Sequence, residues 1–175
     1  PDLARRTDRS EYRRRVISLD DIRAAQVAGR AVVKHTPVVS SVTLSSVVGG
    51  TVVLKAENLQ RTGAFKIRGA MNKLATLGAA ARRGVTAGSA GNHAQALAFA
   101  AQHHGVACEI FVPAGASIGK IEACVGYGAV VHEVSGSVDE AVAAARAHAA
   151  ESGLAFCHPF DDPAVRLVAA NDEVR

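Results

Sequence analysis

From Thr51 onward, short β-branched runs alternate with longer stretches of helical periodicity, and this alternation constrains the fold more than any other feature. Thr51–Lys55, Gly84–Ala87, Ala107–Val112 (ended by Pro113), Ala129–Val134 and Leu154–Cys157 read as strands. Between them, Lys66–Leu77 places Ile67, Ala70, Met71, Leu74 and Leu77 on one helical face. Asn92–His104 and Ile118–Tyr127 also read as helices, and Val138, Ala141, Val142, Ala145 and Ala149 form a further stripe. Strands separated by helices imply βαβ units: an α/β fold with a mostly parallel sheet and helices on both faces. The strands are nearly continuous in apolar character, as parallel strands buried on both sides require. Aromatic residues are scarce, with five Phe, two Tyr and no Trp, so the apolar content falls on Ala and Val. Such small side chains suit helices lying close against a sheet.

The first fifty residues are less regular. Ser18 reads as a helix N-cap with Asp21 in the reciprocal position, Gly29 interrupts the segment, and His35-Thr36-Pro37 marks a turn. Val38-Val39 then leads into a short helix around Leu44–Val48, closed by Gly49-Gly50. The formal charge of +4 is concentrated at residues 1–15, which hold six arginines against three acids. That clustering, with no apolar period, reads as a disordered basic arm rather than a nucleic-acid surface, so no nucleic-acid partner is expected. No apolar run approaches the roughly eighteen residues that a membrane span needs, and no membrane association is expected. Cys108, Cys124 and Cys157 are odd in number and widely spaced, as in reduced, buried thiols of a cytoplasmic protein. No metal-ligand spacing is present, and none of the histidine pairs suggests one. His103-His104 reads as a solvated helix end. His158 and its neighbour Cys157 should point to opposite sides of a strand.

Two segments carry the chemistry. The first is Glu57-Asn58-Leu59-Gln60-Arg61-Thr62-Gly63-Ala64-Phe65-Lys66-Ile67-Arg68-Gly69-Ala70. Its lysine opens a helix, where the positive end of the dipole and apolar neighbours favour the neutral amine that Schiff-base formation requires. Position alone favours a solvated helix lysine. The second is Ser89-Ala90-Gly91-Asn92-His93-Ala94-Gln95, between a strand and a helix. Its small residues let backbone N–H groups converge on a carboxylate or phosphate, and Asn92 adds an amide. An ordinary β-to-α turn capped by Ser89 is the alternative.

Together these segments resemble the fold-type II (tryptophan-synthase-β-like) pyridoxal-phosphate enzymes, and among them the threonine dehydratases. The similarity extends through His35-Thr36-Pro37, Val112-Pro113 with Lys120, Tyr127-Gly128-Ala129 and His158-Pro159-Phe160-Asp161-Asp162, from about Ser18 to Val165. The resemblance implies that pyridoxal 5'-phosphate is held by Lys66 as an internal aldimine, and that Lys66 removes the substrate α-proton. It implies that Phe65 packs beside the pyridine ring and Asn92 hydrogen-bonds the phenolic oxygen. Ser89, Ala90, Gly91, Asn92 and His93 would form the loop for the substrate carboxylate. The activity implied is conversion of L-threonine, and also L-serine, to a 2-oxo acid and ammonia by a cytoplasmic homo-oligomer, in amino-acid metabolism such as isoleucine biosynthesis.

The same resemblance divides the chain into a basic arm (1–17), the start of a large domain (18–54), a small domain with the lysine and asparagine loop (55–157), and a return to the large domain (158–175). Two residues depart from the family pattern. Ala64 replaces the usual serine beside the lysine, and Ala90 stands where related serine racemases carry an acid/base serine. A methyl group cannot return a proton, which favours a dehydratase over a racemase. Residues 166–175 contain no glycine, whereas the family continues into a glycine-rich phosphate loop. A catalytically incomplete fragment is therefore one alternative, and a same-fold lyase or racemase acting on serine or 3-hydroxyaspartate is another.

Overall fold

The computed structural model describes residues 17–166. Residues 1–16 and 167–175, which include nearly all of the basic arm, lie outside the described part. Ser18 caps α1 (Leu19–Gly29) in a two-way box: its hydroxyl accepts from the Asp21 N–H, and the Asp21 carboxylate accepts from the Ser18 N–H. β1 (Val38–Ser40) follows, then α2 (Val42–Val48), which ends at Gly49 with φ 66°, a left-handed cap that glycine adopts without a Cβ penalty. β2 (Val53–Lys55) returns antiparallel to β1, pairing Val38 with Lys55. In the sequence, Val38-Val39 reads only as an approach to the helix. Here it is a strand of a separate two-stranded ladder, and the second strand starts at Val53 rather than Thr51.

The main sheet has four parallel strands in the order β5-β4-β3-β6, with β3 at Val85–Gly88, β4 at Cys108–Pro113, β5 at Val130–Val134 and β6 at Ala155–Phe156. Lys66–Leu77 is α3 and Asn92–His104 is α4, both with the bounds the periodicity indicates. α5 spans Ile118–Gly126 and α6 spans Val138–Ser152. On one face of the sheet, Ile67, Ala70, Met71 and Leu74 of α3 pack with Ala94, Leu97, Ala98 and Ala101 of α4 over Val85, Ala87, Ile110 and Val112. On the other face, Ala141 and Ala145 of α6 meet Phe111, with Val134 and Phe156 beside them. β3 is buried throughout, as a strand covered on both sides must be.

The small-residue composition is used where α6 crosses β3. A Cβ at Gly88 would collide with the Ala141 carbonyl group and Val142 Cα, so only glycine lets the helix lie this close. Cys108, Cys124 and Cys157 are free and buried. Burial pushes the Cys124 thiol up to about 11 and the Cys157 thiol up to about 12, and it also raises that of Cys108. No helix among the described residues is long and apolar enough to cross a membrane.

Candidate active site

The strand order sets the location. From β3 the chain moves outward through β4 to β5, then returns to place β6 on the opposite side of β3. Open parallel sheets bind ligands at such a reversal, outside the carboxyl ends of the strands. The carboxyl end of β3 runs into Ser89-Ala90-Gly91 and α4, and that of β6 into Cys157-His158-Pro159. These two exits are adjacent, and both signature segments meet there.

Lys66 is the first residue of α3. Its half-buried Nζ donates to the Pro159 carbonyl at 2.8 Å, across 93 residues of sequence. The Phe65 ring lies 5.3 Å from Nζ and the Phe160 ring 4.9 Å from it. Both rings are largely exposed, Phe65 at 44% and Phe160 at 68%. Burial lowers the Lys66 pKa and favours the free amine. The lysine is thus placed as the sequence suggests, with one aromatic neighbour (Phe160) that sequence reading misses.

The approach to Lys66 is braced from below. The Arg68 guanidinium grips Glu57 through Nε and Nη2, each at 2.7 Å, and Thr36 donates to the same carboxylate. Burial alone would raise the Glu57 pKa, but the Arg68 and Thr36 hydrogen bonds prevail and hold it low. Gln60 clasps the Lys34 backbone, donating to its carbonyl and accepting from its N–H. Between these anchors Thr62 has φ 61°, rare for a β-branched residue, and its buried Oγ1 has no hydrogen-bond partner among the described residues. Backbone strain at Thr62 is not legible in the sequence.

In the second segment, Gly91 precedes α4 and no side chain caps the helix. Ser89 is buried and its hydroxyl accepts from Gly91 N–H at 3.3 Å, so it tightens the loop instead of serving as the helix cap. A helix start without a side-chain cap can receive an anion on its first N–H groups. Asn92 is exposed, and its Oδ1 accepts from Lys120 Nζ at 2.7 Å. His93 is buried, its Nε2 lies 3.1 Å from the Cys157 carbonyl, and its charged form is disfavoured by burial first and by the nearby Lys66 among other causes. His158 does not pair with Cys157: its Nδ1 accepts from the N–H groups of Phe160 and Asp161. Two clefts, of about 390 and 450 Å³, are lined in part by residues of α1 and α3 and include neither Lys66 nor the Ser89–His93 loop.

These features fit an aldehyde cofactor with an anionic partner: a primary amine held toward neutrality, aromatic rings beside it, and an uncapped helix start at the neighbouring strand end. Residues 30–171 match the model of the pyridoxal-phosphate dependent enzyme family. The L-threonine ammonia-lyase of Thermotoga maritima is 47% identical over 151 residues, which are 86% of this chain and 38% of that protein. Among solved structures, a threonine deaminase from T.th. has TM-score 0.75 and 38% identity over 86% of this chain and 48% of that one. Serine racemase from Dictyostelium discoideum has TM-score 0.78 and 33% identity over 87% of this chain and 50% of that one. The chain therefore spans half or less of the length of these relatives, and within that span it belongs to the pyridoxal-phosphate dependent enzyme family.

Proposed function

We propose that the protein acts as a threonine dehydratase, releasing ammonia and a 2-oxo acid from L-threonine and, as a second substrate, L-serine. The observation that carries this reading is the Lys66 amine, half-buried between Phe65 and Phe160 at the strand exits and held toward its neutral form. The 47% identity to an L-threonine ammonia-lyase supports the choice of substrate.

Pyridoxal phosphate, when bound, supplies an electrophilic aldehyde and a ring that accepts electrons from the amino acid's α-carbon. The chain's own residues do the rest. Lys66 would hold the cofactor's aldehyde through Nζ, and the same amine, when free, would take the substrate α-proton. Phe65 would lie beside the cofactor's ring and shield one side of it from water. Asn92 would offer its amide donor to the ring's phenolic oxygen. Ser89, Ala90, Gly91, Asn92 and His93 receive the substrate carboxylate at the amino end of α4. Loss of the β-hydroxyl and hydrolysis of the resulting enamine give 2-oxobutyrate from threonine.

Two other readings remain distinct. A racemase would require an acid on the far side of the α-carbon, and the Ala90 methyl cannot fill that role; this favours elimination although serine racemase shares the fold. The second is binding of the cofactor without turnover, which the assay below separates from the proposal. We read residues 18–54 as part of a large domain and 55–157 as a small one, followed by a return at 158–175. The separate β1–β2 ladder supports a boundary near residue 55. We also read the protein as a cytoplasmic homo-oligomer serving amino-acid metabolism, including isoleucine biosynthesis; its three free buried thiols support a reducing compartment.

The test is 2-oxobutyrate release from L-threonine, with D- and L-serine and 3-hydroxyaspartate as comparison substrates. Preferential turnover of L-threonine supports the proposal. Conversion of L- to D-serine without ammonia release overturns it.

A further inference from the structure

We infer that Lys120 is a positioning residue that fixes which end of the Asn92 amide faces the cleft. This rests on the reading of Asn92 as donor to the cofactor's phenolic oxygen. Lys120 lies in the first turn of α5, and its Nζ donates to Asn92 Oδ1 at 2.7 Å. The two ends of an asparagine amide are nearly identical in shape, so the partner's chemistry decides their orientation. An ammonium has three donors and no acceptor, so it can bind only the oxygen end. Oδ1 is thereby held toward α5, and the Nδ2 donor is left for another acceptor. Among the described residues Nδ2 meets none.

The lysine is well anchored for this purpose. Its backbone N–H donates to the Ser117 carbonyl at 3.0 Å, and Cys124, one turn further along α5, is buried in the core. A Cβ at Gly91 would lie 4.0 Å from Lys120 Nζ, so the ammonium stands beside the backbone of the carboxylate loop. In the sequence, Lys120 stands out only as part of the family resemblance. Its partner is 28 residues away and is brought into reach by the packing of α4 against α5.

The test uses the full-length polypeptide, with pyridoxal phosphate as the probe. Lys120→Arg keeps a donor-only cation, whereas Lys120→Glu offers an acceptor that attracts Nδ2 and turns Oδ1 toward the cleft. K120R should retain the wild-type dissociation constant and visible absorption band. K120E should bind pyridoxal phosphate about tenfold more weakly, the scale expected for one charge-assisted hydrogen bond, and with a shifted band. In an Asn92→Ala background the two substitutions should become indistinguishable, because the group they orient is gone. If K120E does not fold, judged by thermal unfolding, Lys120→Met replaces it and should give a smaller loss in the same direction. Equal affinity and spectra for K120R and K120E, with N92A clearly weakened, overturn the inference while leaving the role of Asn92 intact. No effect of N92A itself overturns both.

Discussion

Acid should destabilise this protein through His93, by an amount the structure allows to be stated. The Cys157 carbonyl can only accept, so His93 Nε2 carries the proton and Nδ1 is a bare acceptor, buried without a partner among the described residues. Burial is the largest influence and lowers the pKa from 6.5 to about 4; the Cys157 carbonyl opposes it, Lys66 and His158 add to it, and Asp162 opposes it. The unfolded chain therefore takes up a proton near pH 6.5, and the folded chain does so only near pH 4. Stability from this group is fully present above pH 6.5 and is lost as pH falls through the window down to about 4. At about 1.4 kcal/mol per pKa unit, the loss is about 3 kcal/mol. His93→Gln keeps an amide donor for the Cys157 carbonyl but does not titrate. Denaturant unfolding of both proteins between pH 4 and 7.5 isolates the effect, because the other titrating groups are common to both. The wild type should lose about 3 kcal/mol more than the variant over this range. Parallel curves would refute the assignment of a neutral imidazole. On the proposed reading of the Ser89–His93 loop, a neutral His93 would leave the substrate carboxylate to main-chain N–H groups rather than to an imidazolium.

Two further perturbations probe the scaffold under the site. Gly88→Ala should cost about 2 kcal/mol in thermal or denaturant unfolding, because its Cβ displaces α6 from β3; an unchanged midpoint would contradict the close contact with Ala141. Arg68→Met should cost about 3 kcal/mol, since it leaves the Glu57 carboxylate partly buried without its guanidinium, and the Glu57 pKa should rise in an NMR titration.

Much of this is legible in the sequence for physical reasons. α3 matches its periodicity because Ile67, Ala70, Met71 and Leu74 share one buried face, whereas α4 is buried around most of its surface and reads as a helix from its alanine-rich sequence. The capping residues of α1 are local, so Ser18 and Asp21 can be read directly. β1 is not legible: its three residues are all exposed and lack the inside–outside alternation that marks a strand. α7 (Pro163–Arg166), a single turn, carries no periodicity of its own. The candidate site divides in the same way. Lys66 and Asn92 stand out from local text, but what each touches does not. The Pro159 carbonyl, the Phe160 ring and the Lys120 ammonium arrive from distant segments, carried there by the β3–β6 adjacency and the packing of α5. The left-handed Thr62 is equally hidden, because nothing in a Thr-Gly pair announces that the threonine, and not only the glycine, takes positive φ.

The central claim is that one particular amine carries the cofactor. Full-length protein loaded with pyridoxal phosphate, reduced with borohydride, digested and mapped by mass spectrometry reads that amine directly. A pyridoxyl adduct is expected on the peptide containing Lys66, and its loss in Lys66→Ala. An adduct on Lys55, Lys73 or Lys120 instead, or none on the wild type, would contradict the claim.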